Sequence, residues 1–252
     1  MTDKTNDLDA ILQQVQSKQL SINDAKSQLK QFDDLGFAKI DLHRSQRQGF
    51  PEVIYGDGKS AEQIDDIIHS LKSNDQTILA TRVSESKAQY VLARHPELSY
   101  HAQANIICTP IETITPSTHY AAIICAGTSD LPVAEEAALT AEVMGIAVKR
   151  FYDVGVSGIH RLFESIEDIR NSSVSVVVAG MEGALSSVVS GLVDHPVYAI
   201  PTSVGYGANL SGVTTLLAML NGCAPGTSVL NIDNGFGGGY NAAQLIKMLE
   251  KD

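Results

Sequence analysis

The chain is poor in the features that mark several common roles. It has only three cysteines, Cys108, Cys125 and Cys223. Their wide, irregular spacing suits neither a disulfide framework nor paired zinc ligands, and fits a reducing compartment. No stretch concentrates basic side chains: 18 Lys and Arg stand against 29 Asp and Glu, a formal charge of −11. Such a surface repels a polyanion, which argues against nucleic acid as a partner. No apolar run approaches the roughly 18 residues of a membrane span. The polar start Met1-Thr-Asp-Lys-Thr-Asn-Asp-Leu8 has no apolar signal core, so the expectation is a soluble cytoplasmic protein without a membrane partner. What is present is 252 residues at 44% hydrophobic content, enough for a sizeable core in one or two domains, and two are expected.

From Leu8 to Phe32 apolar residues recur at helical intervals, with Ser21 as an N-cap, which predicts two short amphipathic helices. Strand-like segments follow at Ala38 to Leu42, Glu52 to Tyr55, Ile78 to Ala80 and Ile106 to Cys108. Ser60-Ala-Glu-Gln63 reads as a capping box opening a helix to about Leu71. The first domain, 1–115, is therefore a mixed α+β unit. Pro110, Pro116 and several threonines interrupt the periodicity from Thr109 to Thr118, and strand and helix then alternate strictly through 116–252. Strands are expected at Ala121–Cys125, Ala147–Tyr152, Val174–Ala179, Val197–Ile200 and Val229–Ile232. Helices are expected at Val133–Met144, Ile159–Arg170, Ala184–Leu192, Leu210–Leu220 and Ala242–Leu249. Apolar strands separated by helices predict βαβ units and a doubly wound, mainly parallel α/β sandwich of about five strands.

Ligands bind such sheets at the carboxyl ends of the strands, so the loops after each strand matter most. Ala126-Gly-Thr-Ser-Asp-Leu-Pro132 places Thr128, Ser129 and Asp130 at a helix entrance. They can cap that helix, or hold an anion and accept from ribose hydroxyls. Asp153-Val-Gly-Val-Ser-Gly-Ile-His-Arg161 brings His160 and Arg161 to the next entrance, and Arg161 can pair an anion bidentately. In Gly180-Met-Glu-Gly-Ala-Leu-Ser-Ser187, Glu182 is the only ionisable group in an apolar neighbourhood. That setting disfavours its charge and suits proton transfer, although a negative group at a helix start also answers the dipole. Tyr206 can stack on a flat ligand, and Asn234 lies in the glycine-rich Asp233-Asn-Gly-Phe-Gly-Gly-Gly-Tyr240, whose spacing departs from the dinucleotide fingerprint.

Cys108 and Cys125 sit in strand-like apolar runs and read as core, whereas Cys223 stands among small residues in Asn221-Gly-Cys-Ala-Pro-Gly226. It is the expected nucleophile, with a small buried residue as the bland alternative. Yet it lies on a helix-to-strand loop, at the sheet edge opposite the five strand-end loops. A catalytic Cys223 therefore requires a homo-oligomer with sites shared between subunits.

Gly127-Thr-Ser-Asp130, Ser157-Gly-Ile-His-Arg161, Gly180-Met-Glu-Gly-Ala184 and Leu210-Ser-Gly-Val-Thr-Thr-Leu-Leu217 resemble the PurE-type carboxyaminoimidazole ribonucleotide mutases over the second half of the chain. Where those mutases carry a catalytic histidine, this chain has Ser186, which argues against mutase chemistry. Together with Asp41-Leu-His-Arg-Ser-Gln-Arg-Gln-Gly-Phe-Pro-Glu-Val-Ile-Tyr-Gly56 and Asn221-Gly-Cys-Ala-Pro-Gly226, the whole chain resembles the LarB family of nickel-pincer cofactor biosynthesis proteins. That resemblance implies a carboxylase and hydrolase of nicotinic acid adenine dinucleotide. It would take carbon dioxide and give pyridinium-3,5-biscarboxylic acid mononucleotide and AMP from an octameric assembly. Cys223 would be the nucleophile and Glu182 the acid/base. Thr128, Ser129, Asp130, His160, Arg161, Ser186, Tyr206 and Asn234 would serve as the binding set. No tightly bound cofactor or protein-held metal is expected; Mg²⁺ or basic residues such as Arg44, Arg47, Lys59 and Arg161 would neutralise the diphosphate. Two other readings stay open, a PurE-like aminoimidazole ribonucleotide carboxylase or mutase and a non-catalytic nucleotide-binding module.

Overall fold

The computed structural model describes residues 4–30, 32–111 and 118–251. These fall into two compact units, one of residues up to 52 together with 65–78, the other of 53–64 together with 79 onward. Most of the interruption expected at Thr109–Thr118 lies outside the described residues.

The first unit begins with helices α1 (Lys4–Gln16) and α2 (Ile22–Gln28), as the periodicity predicts. Ser21 caps α2 by accepting from Asp24 N at 3.1 Å. Strands β1 (Phe32–Asp34) and β2 (Lys39–Asp41) pair antiparallel, and α3 (Arg44–Gln48) follows. In the second unit come β3 (Ile54–Tyr55), then helix α4 (Ala61–Lys72), which runs on into the first unit. The capping box opens α4 in both directions: Gln63 N donates to Ser60 Oγ at 3.2 Å, and Ser60 N donates to Gln63 Oε1 at 3.0 Å. Strands β4 (Leu79–Thr81), β5 (Ser99–His101) and β6 (Ile106–Cys108), with α5 (Glu85–Leu92) before β5, complete a mixed sheet in the order β3-β4-β6-β5.

The rest is a doubly wound α/β fold. Strands β7 (Ala121–Cys125), β8 (Val148–Phe151), β9 (Val174–Ala179), β10 (Val197–Pro201) and β11 (Thr227–Val229) form one parallel sheet in the order β11-β10-β9-β7-β8. Between and after them run α6 (Leu131–Val143), α7 (His160–Glu164), α8 (Ile166–Arg170), α9 (Ala184–Ser190), α10 (Val213–Leu220) and α11 (Gly235–Leu249). Alternate strand residues bury opposite ways. Ala122, Ile124, Val177 and Ala199 pack with Leu162, Ile169, Leu185, Val189 and Met219 of α7 to α10, while α6 and α11 cover the other face.

Several element ends shift by one or two residues from expectation, and four differences are larger. Ser165 divides the Ile159–Arg170 helix into α7 and α8. Strand β11 ends at Val229, so Leu230 to Ile232 are loop. Helix α10 starts at Val213, because Leu210, Ser211 and Gly212 all take left-handed conformations. Most consequential, α11 starts at Gly235 rather than Ala242. A side chain at Gly235 or Gly239 would put its Cβ 2.2 Å from a carbonyl oxygen of α6, Val133 O or Ala137 O respectively. The glycine run is therefore the flat side of a close helix–helix contact, which overrides its poor helix propensity.

Candidate functional site

The chain runs from β7 to β8 in one direction and then crosses back past β7 to β9, which makes the β7/β9 boundary a topological switch point. Loops leaving adjacent strands there turn apart and open a crevice. A cavity of about 410 Å³ occupies this place, lined by Thr128, Ser129, Asp130, Asp153, Ser157 and Glu182 among others. That volume is within the range of small-ligand sites.

Each wall is held by hydrogen bonds that the sequence permits. Asp130, 4% exposed, accepts from Gly127 N at 3.2 Å through Oδ2 and from Thr202 Oγ1 at 2.6 Å through Oδ1. Instead of capping α6 it ties the β7 loop to the end of β10. Burial pushes its carboxyl up from the usual range, and the hydrogen bonds from Thr202 and the loop backbone pull it back. Thr128 and Ser129, on the same turn, are exposed to the cavity. Asp153, left-handed at φ 57°, lines the second wall and pairs with Arg161 Nη1 at 2.5 Å.

The third wall carries Glu182. Met181 before it is left-handed; its N–H donates to Val204 O, and its carbonyl accepts from both Asn209 Nδ2 at 3.2 Å and Thr215 Oγ1 at 2.5 Å. Asn209 is 6% exposed and spends its whole amide here, since it also donates to Thr215 Oγ1 and accepts from Gly212 N at 2.7 Å. Asn209→Ala would leave Gly212 N–H without its side-chain acceptor and loosen the loop under Glu182. It is expected to cost about 3 kcal/mol, a fall in Tm of about 6–12 °C in a thermal melt. Thr202 and Asn209 escaped sequence reasoning because polar residues in a glycine-rich loop look solvated, and Thr215 because it falls inside the expected Leu210–Leu220 helix.

The structure brings Thr128, Ser129, Asp130 and Glu182 to one cavity, with Arg161 bonded to its rim residue Asp153. It does not place the others on that wall. His160 is exposed at the start of α7, and Tyr206 is 80% exposed. Ser186 is buried, its hydroxyl donating to Gly183 O at 2.8 Å. Asn234 caps α11 by accepting from Gly237 N at 2.9 Å. Glu182 is exposed, a correction to the apolar surroundings expected for it, since its own chain leaves the β9 exit turn uncovered. Arg44 pairs with Glu52 at 3.0 Å and Arg47 with Asp41, while Lys59 donates to Tyr55 O at 2.8 Å. Among the described residues no group of three or more His, Cys, Asp or Glu is arranged to hold a metal ion. No helix among them is long and apolar enough to cross a membrane.

The three thiols divide as expected. Cys108 and Cys125 are buried, and burial pushes them up to about 11 and about 12. Cys223 is exposed beyond the end of α10 and does not line the cavity. One thiol per folded chain is therefore expected to react with a small disulfide reagent at pH 8, and three after denaturation. Three fast thiols in the native protein would contradict this burial. Along α10 and its entry, Leu210, Val213, Leu217 and Leu220 are 42–66% exposed. Val213, Leu217 and Leu220, at helical spacing, form one bare apolar face of α10 leading to Cys223, with Leu210 exposed before it.

Comparison with known proteins agrees with this geometry. The model of a LarB/PurE-like N-terminal domain matches residues 32–111, and that of AIR carboxylase matches residues 120–252. An uncharacterised protein of Methanocaldococcus jannaschii is 40% identical over 223 residues, covering 84% of this chain and 85% of that protein. A Methanothermobacter thermautotrophicus protein named "Probable N5-carboxyaminoimidazole ribonucleotide mutase" is 29% identical over 157 residues, 59% of this chain but only 44% of that protein. Both domains point to an enzyme of the carboxylase or mutase type. The chain belongs to the AIR carboxylase family, with a LarB/PurE-like domain preceding its AIR carboxylase domain as in LarB-type proteins.

Proposed function

We propose that the protein carboxylates the pyridinium ring of nicotinic acid adenine dinucleotide and splits its diphosphate, releasing AMP and pyridinium-3,5-biscarboxylic acid mononucleotide. The observation that carries this reading is an incomplete cavity. It holds hydroxyls and a buried carboxylate suited to a ribonucleotide, and Glu182 at its wall, but no cysteine lines it. The exposed thiol of the same chain stands at the end of a bare apolar helix face instead. A second copy covering that face would deliver Cys223 to a neighbour's cavity, which the octamer implied by the family resemblance would allow.

The chemistry explains why a thiol is needed. A pyridinium ring is electron-poor, and its carbon 5 will not attack carbon dioxide unaided. Addition of the Cys223 thiolate at carbon 4 forms a C–S bond and sends a ring electron pair to nitrogen, giving a dihydropyridine whose carbon 5 is an enamine carbon. That carbon attacks carbon dioxide, Glu182 takes its proton, and the nitrogen pair then expels the thiolate and restores aromaticity. Electrons balance without an oxidant. The separate phosphoanhydride cleavage consumes one water. Ser186, buried and bonded to Gly183 O, offers no imidazole for mutase chemistry on an aminoimidazole ribonucleotide.

The test is incubation with nicotinic acid adenine dinucleotide and bicarbonate, followed by mass spectrometry. AMP and a doubly carboxylated mononucleotide support the reading, and their absence from an intact oligomer rejects it.

A further inference from the structure

Arg82 stands directly after β4 in a left-handed conformation, φ 54°. That backbone costs about 1 kcal/mol or more in a residue without a local polar excuse, and persists where the surroundings impose it. Here the side chain is engaged on two sides. Nη2 donates to Asp233 O at 2.5 Å, and Nε lies 3.7 Å from Glu136 Oε1. Glu136 is 4% exposed and this oxygen has no hydrogen bond, so the guanidinium supplies its compensating charge. Burial raises the Glu136 carboxyl, and Arg82 is the foremost influence that opposes it.

What Arg82 grips leads to the cavity. Asp233, also left-handed, donates its N–H to Pro201 O at 2.9 Å and accepts from Ser203 N at 2.8 Å through Oδ1. Those two bonds bracket Thr202, the residue whose hydroxyl donates to Asp130 Oδ1 at 2.6 Å. A chain of fixed contacts thus runs from the β4 sheet, within the stretch matched by the N-terminal domain model, to a carboxylate in the cavity wall.

We propose that Arg82 is a positioning residue for the nucleotide site: it fixes Asp233, Asp233 brackets Thr202, and Thr202 orients Asp130. The proposal rests on reading the cavity as a ribonucleotide site. It gives the β4 sheet a defined task, holding the ribose-binding wall from behind without touching substrate.

Arg82→Ala in the full-length protein is expected to raise the KM for nicotinic acid adenine dinucleotide about tenfold while kcat stays within about threefold. Millimolar methylguanidinium, filling the vacated space, should restore most of the loss. A purely structural arginine would lower Tm and the amount of active enzyme, leaving KM unmoved. If the alanine variant does not fold, Arg82→Gln, which keeps a donor for Asp233 O but no charge, is measured the same way. Calorimetric binding of nicotinic acid mononucleotide, which needs no turnover, should weaken in parallel. If the wild type reacts or binds but the variant's KM and Kd are unchanged, or are changed without rescue, the Arg82 assignment falls alone. If the wild type neither reacts nor binds the mononucleotide, the ribonucleotide reading falls and takes Arg82 with it.

Discussion

Cys223→Ala and Cys223→Ser are both expected to lower ring carboxylation by about 10⁴-fold or more, the scale seen when a covalent nucleophile is removed. Neither remaining thiol can substitute. Cys108 and Cys125 are buried in the strands β6 and β7 and lie well above the range in which a thiolate forms at neutral pH. A serine hydroxyl at 223 is far less ionised, and its adduct with the ring would be a poorer leaving group. Glu182→Gln should behave differently. It removes the proton acceptor, worth about 10²–10⁴-fold, but leaves adduct formation intact. Intact-protein mass spectrometry should then find a substrate adduct on Cys223 in the glutamine variant and none in the alanine variant. A serine variant working at the wild-type rate would end the covalent mechanism.

The fold was legible where one physical demand acted on a segment. Strands β7 and β9, and β6 in the first half, stand at their expected residues because apolar runs such as Ala121–Cys125, unbroken, or Val174–Ala179, broken only by Ser175, have no other stable place than a covered sheet. It was illegible where two demands share a residue type. Glycines 235 to 239 suit a phosphate loop or a tight helix contact equally well in sequence, and only the facing carbonyls of Val133 and Ala137 decide between them. Asp130 shows the same ambiguity. Its position fits an N-cap, yet its partner is Thr202, 72 residues away, a contact that no local pattern encodes. Glu182 was expected in apolar surroundings because its sequence neighbours are apolar, but of Met181 and Leu185 only Leu185 is buried, while Met181 and Glu182 itself stand in solvent on the turn. For the site, sequence reasoning found Thr128, Ser129, Asp130 and Glu182 of the cavity and the one exposed thiol, but not Asp153 and Ser157. It could not find Asn209 and Thr215, whose work is to hold the Met181 carbonyl.

Mixing two dead variants should restore activity. If each working site takes Glu182 from one subunit and Cys223 from another, a Glu182→Gln chain beside a Cys223→Ala chain re-creates some sites with both groups intact. Random assembly at equal amounts gives about one quarter of sites fully competent, so co-expression should recover about a quarter of wild-type carboxylation from two parents that have almost none. If both groups came from one chain, the mixture would stay as inactive as its parents. The surface that must meet a second copy is the α10 face, where Leu217 is 54% exposed. Leu217→Asp should leave the chain folded, since an exposed position already accommodates a polar group. In an assembly it would bury a carboxylate without a partner, several kcal/mol per copy repeated at every symmetric contact. The expected outcome is a smaller species by light scattering, native circular dichroism, a Cys223 thiol still reactive, and carboxylation lost. Full activity in a dispersed Leu217→Asp chain would mean that the thiol reaches a cavity within its own subunit, which the exposed loop beyond α10 and the absence of any cysteine from the lining of the switch-point cavity argue against.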